Sequence, residues 1–232
     1  MRPAIAALVI LAAAAPASAQ GLFGPSSDAP DISLRPFIEI SNEKFVAVKT
    51  FDAIFGENTA RFWGGGLQVT VLGDRVYGEI GASRLMKKNA ELVGQRVFVS
   101  DGKVYKLGIP LRSTIAPLEI SGGYRFHVHP RVVPYVGAGF GSYHYTEHSD
   151  FADTSENVDV TERGGIFHAG AEVRVFRWVG VAVDAKYTHV PGILGNGGVS
   201  QQFSGDTQSS AQATRERDLG GWAARLKVVV GR

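Results

Sequence analysis

Apolar residues recur at every second position through most of this chain. From Phe167 the series Phe167, Ala169, Ala171, Val173, Val175 alternates with His168, Gly170, Glu172 and Arg174. Beyond Arg177–Trp178 it resumes as Val179, Val181, Val183, Ala185, Tyr187 against Gly180, Ala182, Asp184, Lys186 and Thr188. A period of two is the mark of a strand with two different faces. A two-residue connection makes the two runs antiparallel neighbours.

The same reading predicts strands at about 32–46, 59–72, 75–87, 110–127, 132–147 and 218–230, and two more within 164–190. Their connections alternate long and short: 47–58, 73–74, 88–109, 128–131, 148–162, 177–178 and 191–217. The segment 47–58 reads as a loop with a short turn near Phe51–Phe55. Within 88–109 the Asp101-Gly102 pair is a hairpin signal. Its arms, about seven residues each, fall short of the 9–11 residues of a spanning strand. They therefore read as an extension of the third and fourth strands, giving eight strands rather than ten.

One face of these strands collects the charges: Arg35, Glu39, Glu79, Glu119, Arg125, Glu172, Arg174, Asp184, Lys186, Arg225 and Lys227. Six bases meet five acids. A soluble ligand-binding barrel turns its charges to water, where their signs need no balance. A membrane barrel turns them into a narrow interior, where an unpaired charge is costly. Short turns at one end and long loops at the other fit the membrane case. So does closure, which pairs every backbone group that faces lipid. The expectation is an all-β, eight-stranded antiparallel up-and-down transmembrane β-barrel over 32–232. Trp63, Tyr124, Phe167, Tyr187 and Trp222 then face lipid. Two residues break the pattern: Phe37 falls on the charged face and Arg84 on the apolar one, late enough in its strand to snorkel to headgroups.

Residues 1–19 carry one base, an apolar run from Ala4 to Ala15, and Ala17-Ser18-Ala19. This reads as a cleavable signal peptide, with 20–31 a disordered lead-in. The chain has no Cys, which excludes a disulfide scaffold. With 24 Lys and Arg against 22 Asp and Glu it has no basic footprint for nucleic acid. Nothing calls for a cofactor.

The leader, the eight alternating strands, the fifth strand's Pro134–Tyr145 run (PYVGAGFGSYHY) and a strand closing the chain resemble the OmpA/OmpW-like small outer-membrane β-barrels. The resemblance implies insertion by the barrel-assembly machinery and contact with outer-membrane lipid and lipopolysaccharide. The chain ends Val-Val-Val-Gly-Arg, where such barrels usually end in an aromatic residue.

Candidate chemistry is sparse. His189 precedes Ser200 by 11 residues, wide spacing for a nucleophile and its base. His127 and His129 share a face without a third ligand nearby. His144 and His148 read as exposed. None makes an enzyme or a metal site. The expected role is structural or surface-interacting, with a charge-filled lumen and loops 88–109, 148–162 and 191–217 meeting an unidentified ligand. The alternatives are a narrow pore or route for small, even apolar, molecules, and a soluble secreted ligand-binding barrel.

Overall fold

The computed structural model describes residues 32–100, 103–151, 157–195 and 215–231. The leader, the lead-in, the Asp101-Gly102 turn and Ser200 lie outside them. Nine strands follow in chain order: β1 Ile32–Phe45, β2 Thr59–Val71, β3 Val76–Leu85, β4 Glu91–Ser100, β5 Lys103–Arg125, β6 Val132–His148, β7 Val158–Phe176, β8 Val179–Val190 and β9 Leu219–Val230. Every pairing is antiparallel, and the ring closes through β1–β9 and β3–β5.

Nine strands make eight staves because β3 and β4 share one. Val76–Ala82 pairs with the inner end of β5, Leu118–Tyr124, and Glu91–Ser100 pairs with its outer end. The stave is broken at 86–90, where Asn89 and Ala90 are both left-handed, φ 59° and 58°. The hairpin expected at 88–109 is thus an outward extension of the third and fourth staves. β5 is longer than its sequence suggested, 23 residues in place of about 18. β6 and β7 also continue past the barrel, pairing through Glu147↔Val158, so residues 158–162 of the segment read as an acidic loop are sheet.

The wall is inside out. Along β1, burial alternates without a break, and Ile32, Leu34, Ile38 and Ile40 are among the exposed residues, Ile38 at 67%. A monomeric soluble protein does not expose so long an apolar band, which disposes of the soluble-barrel alternative. Phe37 obeys the geometry it seemed to break: it is buried inside, where Gly66 makes room for it. A Cβ on Gly66 would stand 2.8 Å from the Phe37 ring tip.

Two connections differ from expectation. The β2–β3 turn takes four residues, Leu72–Arg75, with Leu72, Gly73 and Asp74 all at positive φ. The segment 47–58 contains a true helix, α1 Val48–Phe55, ended by left-handed Gly56, whose N–H bonds to the Asp52 carbonyl at 3.0 Å. Helix α1 lies against β4, where Gly94 lets its backbone approach: a Cβ there would meet the Ile54 carbonyl at 2.3 Å.

Candidate functional site: the barrel interior

The interior is organised in layers. At the short-turn end, one carboxylate gathers most of the bases. Asp74 accepts from Arg174 Nη2 at 2.6 Å, faces Arg125 Nε at 3.1 Å and Arg35 at 3.9 Å, and has His127 Nε2 at 3.4 Å. Burial alone would raise its pKa; the His127 contact and the Arg125, Arg35 and Arg174 guanidiniums outweigh that and hold it far below the usual carboxylate range. Glu172 takes the same arginines from above, Arg35 Nη2 at 2.5 Å and Arg125 Nη1 at 3.0 Å. The left-handed turn aims Asp74 under the wall.

Gln68 links this knot to the next layer, accepting from Arg35 at 2.9 Å and donating to Glu79 at 3.2 Å. Lys227 Nζ reaches Glu79 at 2.8 Å and lies 5.1 Å over the Phe37 ring. Arg225 donates to Asp184 at 2.9 Å and to Glu39 at 3.2 Å. Tyr135 closes this layer with a 2.6 Å bond to Asp184. Further out, Glu119 accepts from Lys186 and from Tyr143, each at 2.8 Å.

Every charged residue read from the alternation therefore points inward and has a partner of opposite sign. The sequence reading missed Asp74, which supplies the sixth acid against six bases. Turn residues carry no facing information under a period-two rule, so only the structure could place it. It also missed Glu43, buried just beyond Glu119. Outward-facing neighbours change from Ile38 and Ile40 to Asn42 and Lys44 here, so Glu43 lies past the apolar band. Burial pushes its carboxyl up to about 6, against the pull of Lys186.

Beyond Glu43 the interior becomes apolar. Phe51 of α1 stacks on Phe45, ring centroids 4.1 Å apart, above Phe62, Leu92, Tyr145 and Leu219. Glu216, beside β9, holds α1 in place. Its carboxylate accepts from Thr50 N at 3.0 Å and Thr50 Oγ1 at 2.9 Å, at the helix N-terminus. No local cap residue exists at Ala47, and a partner 166 residues away leaves no trace in a local pattern.

The outer wall carries Trp63, Phe167, Tyr187 and Trp222 toward the long-loop end and Tyr124 at the other. Trp222 and Tyr187 pack together at 5.1 Å, and Arg84 sits 4.5 Å over Trp63. Tyr124 accepts from Arg75 at 3.2 Å. Four other histidines are scattered. His129 accepts from Arg131 N at 3.1 Å, His144 contacts Thr161 at 3.0 Å, His148 contacts Asp150 at 3.1 Å, and half-exposed His189 stands 3.8 Å from Asp218. Among the described residues no three His, Asp or Glu side chains gather as a metal site.

A closed antiparallel wall, apolar outside and polar within, defines an integral β-barrel of the outer membrane. The chain belongs to the outer membrane protein beta-barrel domain family, whose model matches residues 5–214. No curated protein matches it. Among solved structures it is similar to Ail of Yersinia pestis, at 9% identity over 87% of this chain and 99% of that one, TM-score 0.47. It is also similar to the N-terminal β-barrel domain of Pseudomonas aeruginosa OprF, at 13% identity over 86% and 97%, TM-score 0.44. A third is OprG of the same organism, at 13% identity over 88% and 96%, TM-score 0.42. The family match and the closed wall carry the assignment.

Proposed function

We propose that this protein is a closed, non-enzymatic barrel whose interior charges tie the wall together, and which presents a stiff sheet extension at the cell surface. The observation that carries the first part is burial. Arg125 and Glu172 are 1% exposed and Lys227 2%. A conducting polar lumen needs water against its lining; these side chains meet each other instead. An eight-stranded cylinder is just wide enough to be filled this way. Above them the Phe45–Phe51 cap covers the mouth.

The second part rests on strand length. A spanning strand needs about 9–11 residues, and β5 has 23. Lipid and lipopolysaccharide surround the wall, the assembly machinery inserts it, and the extension meets the extracellular ligand.

Single-channel recording on the full chain in a planar bilayer tests the closed interior. No conductance steps are expected. Steps whose size changes in Glu172→Ala or Arg225→Ala would replace this reading with a pore. The chain has no Cys, so Lys103→Cys gives a unique label site. A membrane-impermeant maleimide should label it in intact cells, and labelling only after lysis would reverse the orientation.

A further inference from the structure

The outer wall of β1–β3 carries three cations at one height. Lys44, Arg61 and Arg84 all face away from the interior and are exposed. Register places them together. Lys44 lies opposite Thr59 and Arg61 opposite Asn42, so these two are diagonal neighbours. Arg84 lies opposite Trp63, and the Arg61 carbonyl accepts from Met86 N at 2.7 Å, so Arg61 and Arg84 are diagonal as well. Diagonal neighbours across a sheet stand about 7–8 Å apart, within the span of one phosphorylated headgroup.

Among the described residues none of the three has an acidic partner, while Lys87 at the same corner takes Glu57. Like charges held this close repel one another, and an anion among them relieves that repulsion. Directly beneath them the wall turns apolar through Ile40, Trp63 and Ala82. Trp63 and Trp222 bracket the group, with Lys44 opposite Trp222 in register. Arg84 stacks on Trp63 at 4.5 Å. Stacking uses the face of a guanidinium and leaves its edge donors for an oxygen acceptor.

We infer that Lys44, Arg61 and Arg84 form a binding site for the phosphate of an outer-leaflet glycolipid, whose acyl chains lie along Ile40 and Trp63. Headgroup phosphates sit at the boundary these residues mark, and the low dielectric beside the acyl region strengthens the pairing. The site deepens the surface reading above and rests on its outward orientation, which the maleimide label tests separately.

Native mass spectrometry of the full chain released from neutral detergent tests the inference. The probes are bis-phosphorylated lipid A, the same lipid stripped of phosphate, phosphatidylcholine and inorganic phosphate. Selective retention of phosphorylated lipid A is expected. The combined Lys44→Gln, Arg61→Gln, Arg84→Gln variant should weaken it about ten-fold or more. A charge-matched variant at Lys103, Lys106 and Arg131 should leave it unchanged. Heat-modifiable gel mobility reports folding, and Arg61→Gln alone, expected to weaken retention several-fold, serves if the triple variant does not fold. Equal retention by the site variant, equal loss in the charge-matched one, or equal binding of dephosphorylated lipid A or phosphatidylcholine would overturn the inference. So would displacement by millimolar inorganic phosphate, which would make this a free-anion site.

Discussion

The two ends of the interior are lined by opposite chemistry. Toward the short turns, carboxylates and guanidiniums meet across the wall: Arg35 of β1 with Glu172 of β7, Arg225 of β9 with Glu39 of β1. Toward the long loops, Phe51 of a separate helix lies on Phe45 in an apolar cluster. The ionic half joins side chains that share the interior only after the ring has closed. The apolar cap needs only one helix to dock on a finished mouth. Burying ions gives little net stability compared with apolar packing, so the ionic half is best understood as specifying closure and register. The cap contributes ordinary burial.

That contrast can be broken at four points. The largest effect belongs to Asp74→Ala, which removes the shared acid from three arginines. A buried pair broken on one side costs about 3–5 kcal/mol, and urea unfolding in detergent micelles should show the whole barrel destabilised. Phe51→Ala comes next, at about 3 kcal/mol for a buried Phe. Its cost should be local. Hydrogen exchange should speed up in Val48–Phe55 while β8 and β9 stay protected; a matching loss in those strands would mean that cap and wall are one cooperative unit.

Glu43 marks the seam. Its folded-state pKa of about 6 lies above its ordinary 4.5, so the folded barrel binds this proton more tightly than the unfolded chain. Stability should rise as pH falls through about 6, with the gain complete below about 4.5 and worth about 2 kcal/mol. Glu43→Gln should gain that stability at pH 7 and flatten this window. An unchanged pH profile would remove Glu43 from the seam. The smallest effect is expected from Glu216→Ala, which uncaps α1 at about 1 kcal/mol and should raise proteolysis of 48–55 with no change in urea midpoint.

Much of this was legible in the alternation. Period two placed all eleven charges inside, and connection lengths indicated eight staves with a hairpin extension. Three features were not. Asp74 belongs to a turn, and its direction follows from three consecutive left-handed residues. Phe37 looked like an error because period two reports facing without reporting what fills a gap opposite Gly66. Helix α1 reads as a loop in the sequence because its docking depends on Glu216 and Gly94, both remote in sequence. Local pattern encodes the wall; the cap is encoded by contacts across the chain.

The break at 86–90 has a mechanical consequence. Strand β5 alone runs unbroken from the tip of the hairpin to the opposite rim, and Arg112–Arg125 is paired along its whole length with Tyr135–His148. A pull on the tip therefore loads those hydrogen bonds in shear, many at once. The β3–β4 stave meets the same pull with a slack joint. Tension applied to the extension runs down one strut into the wall.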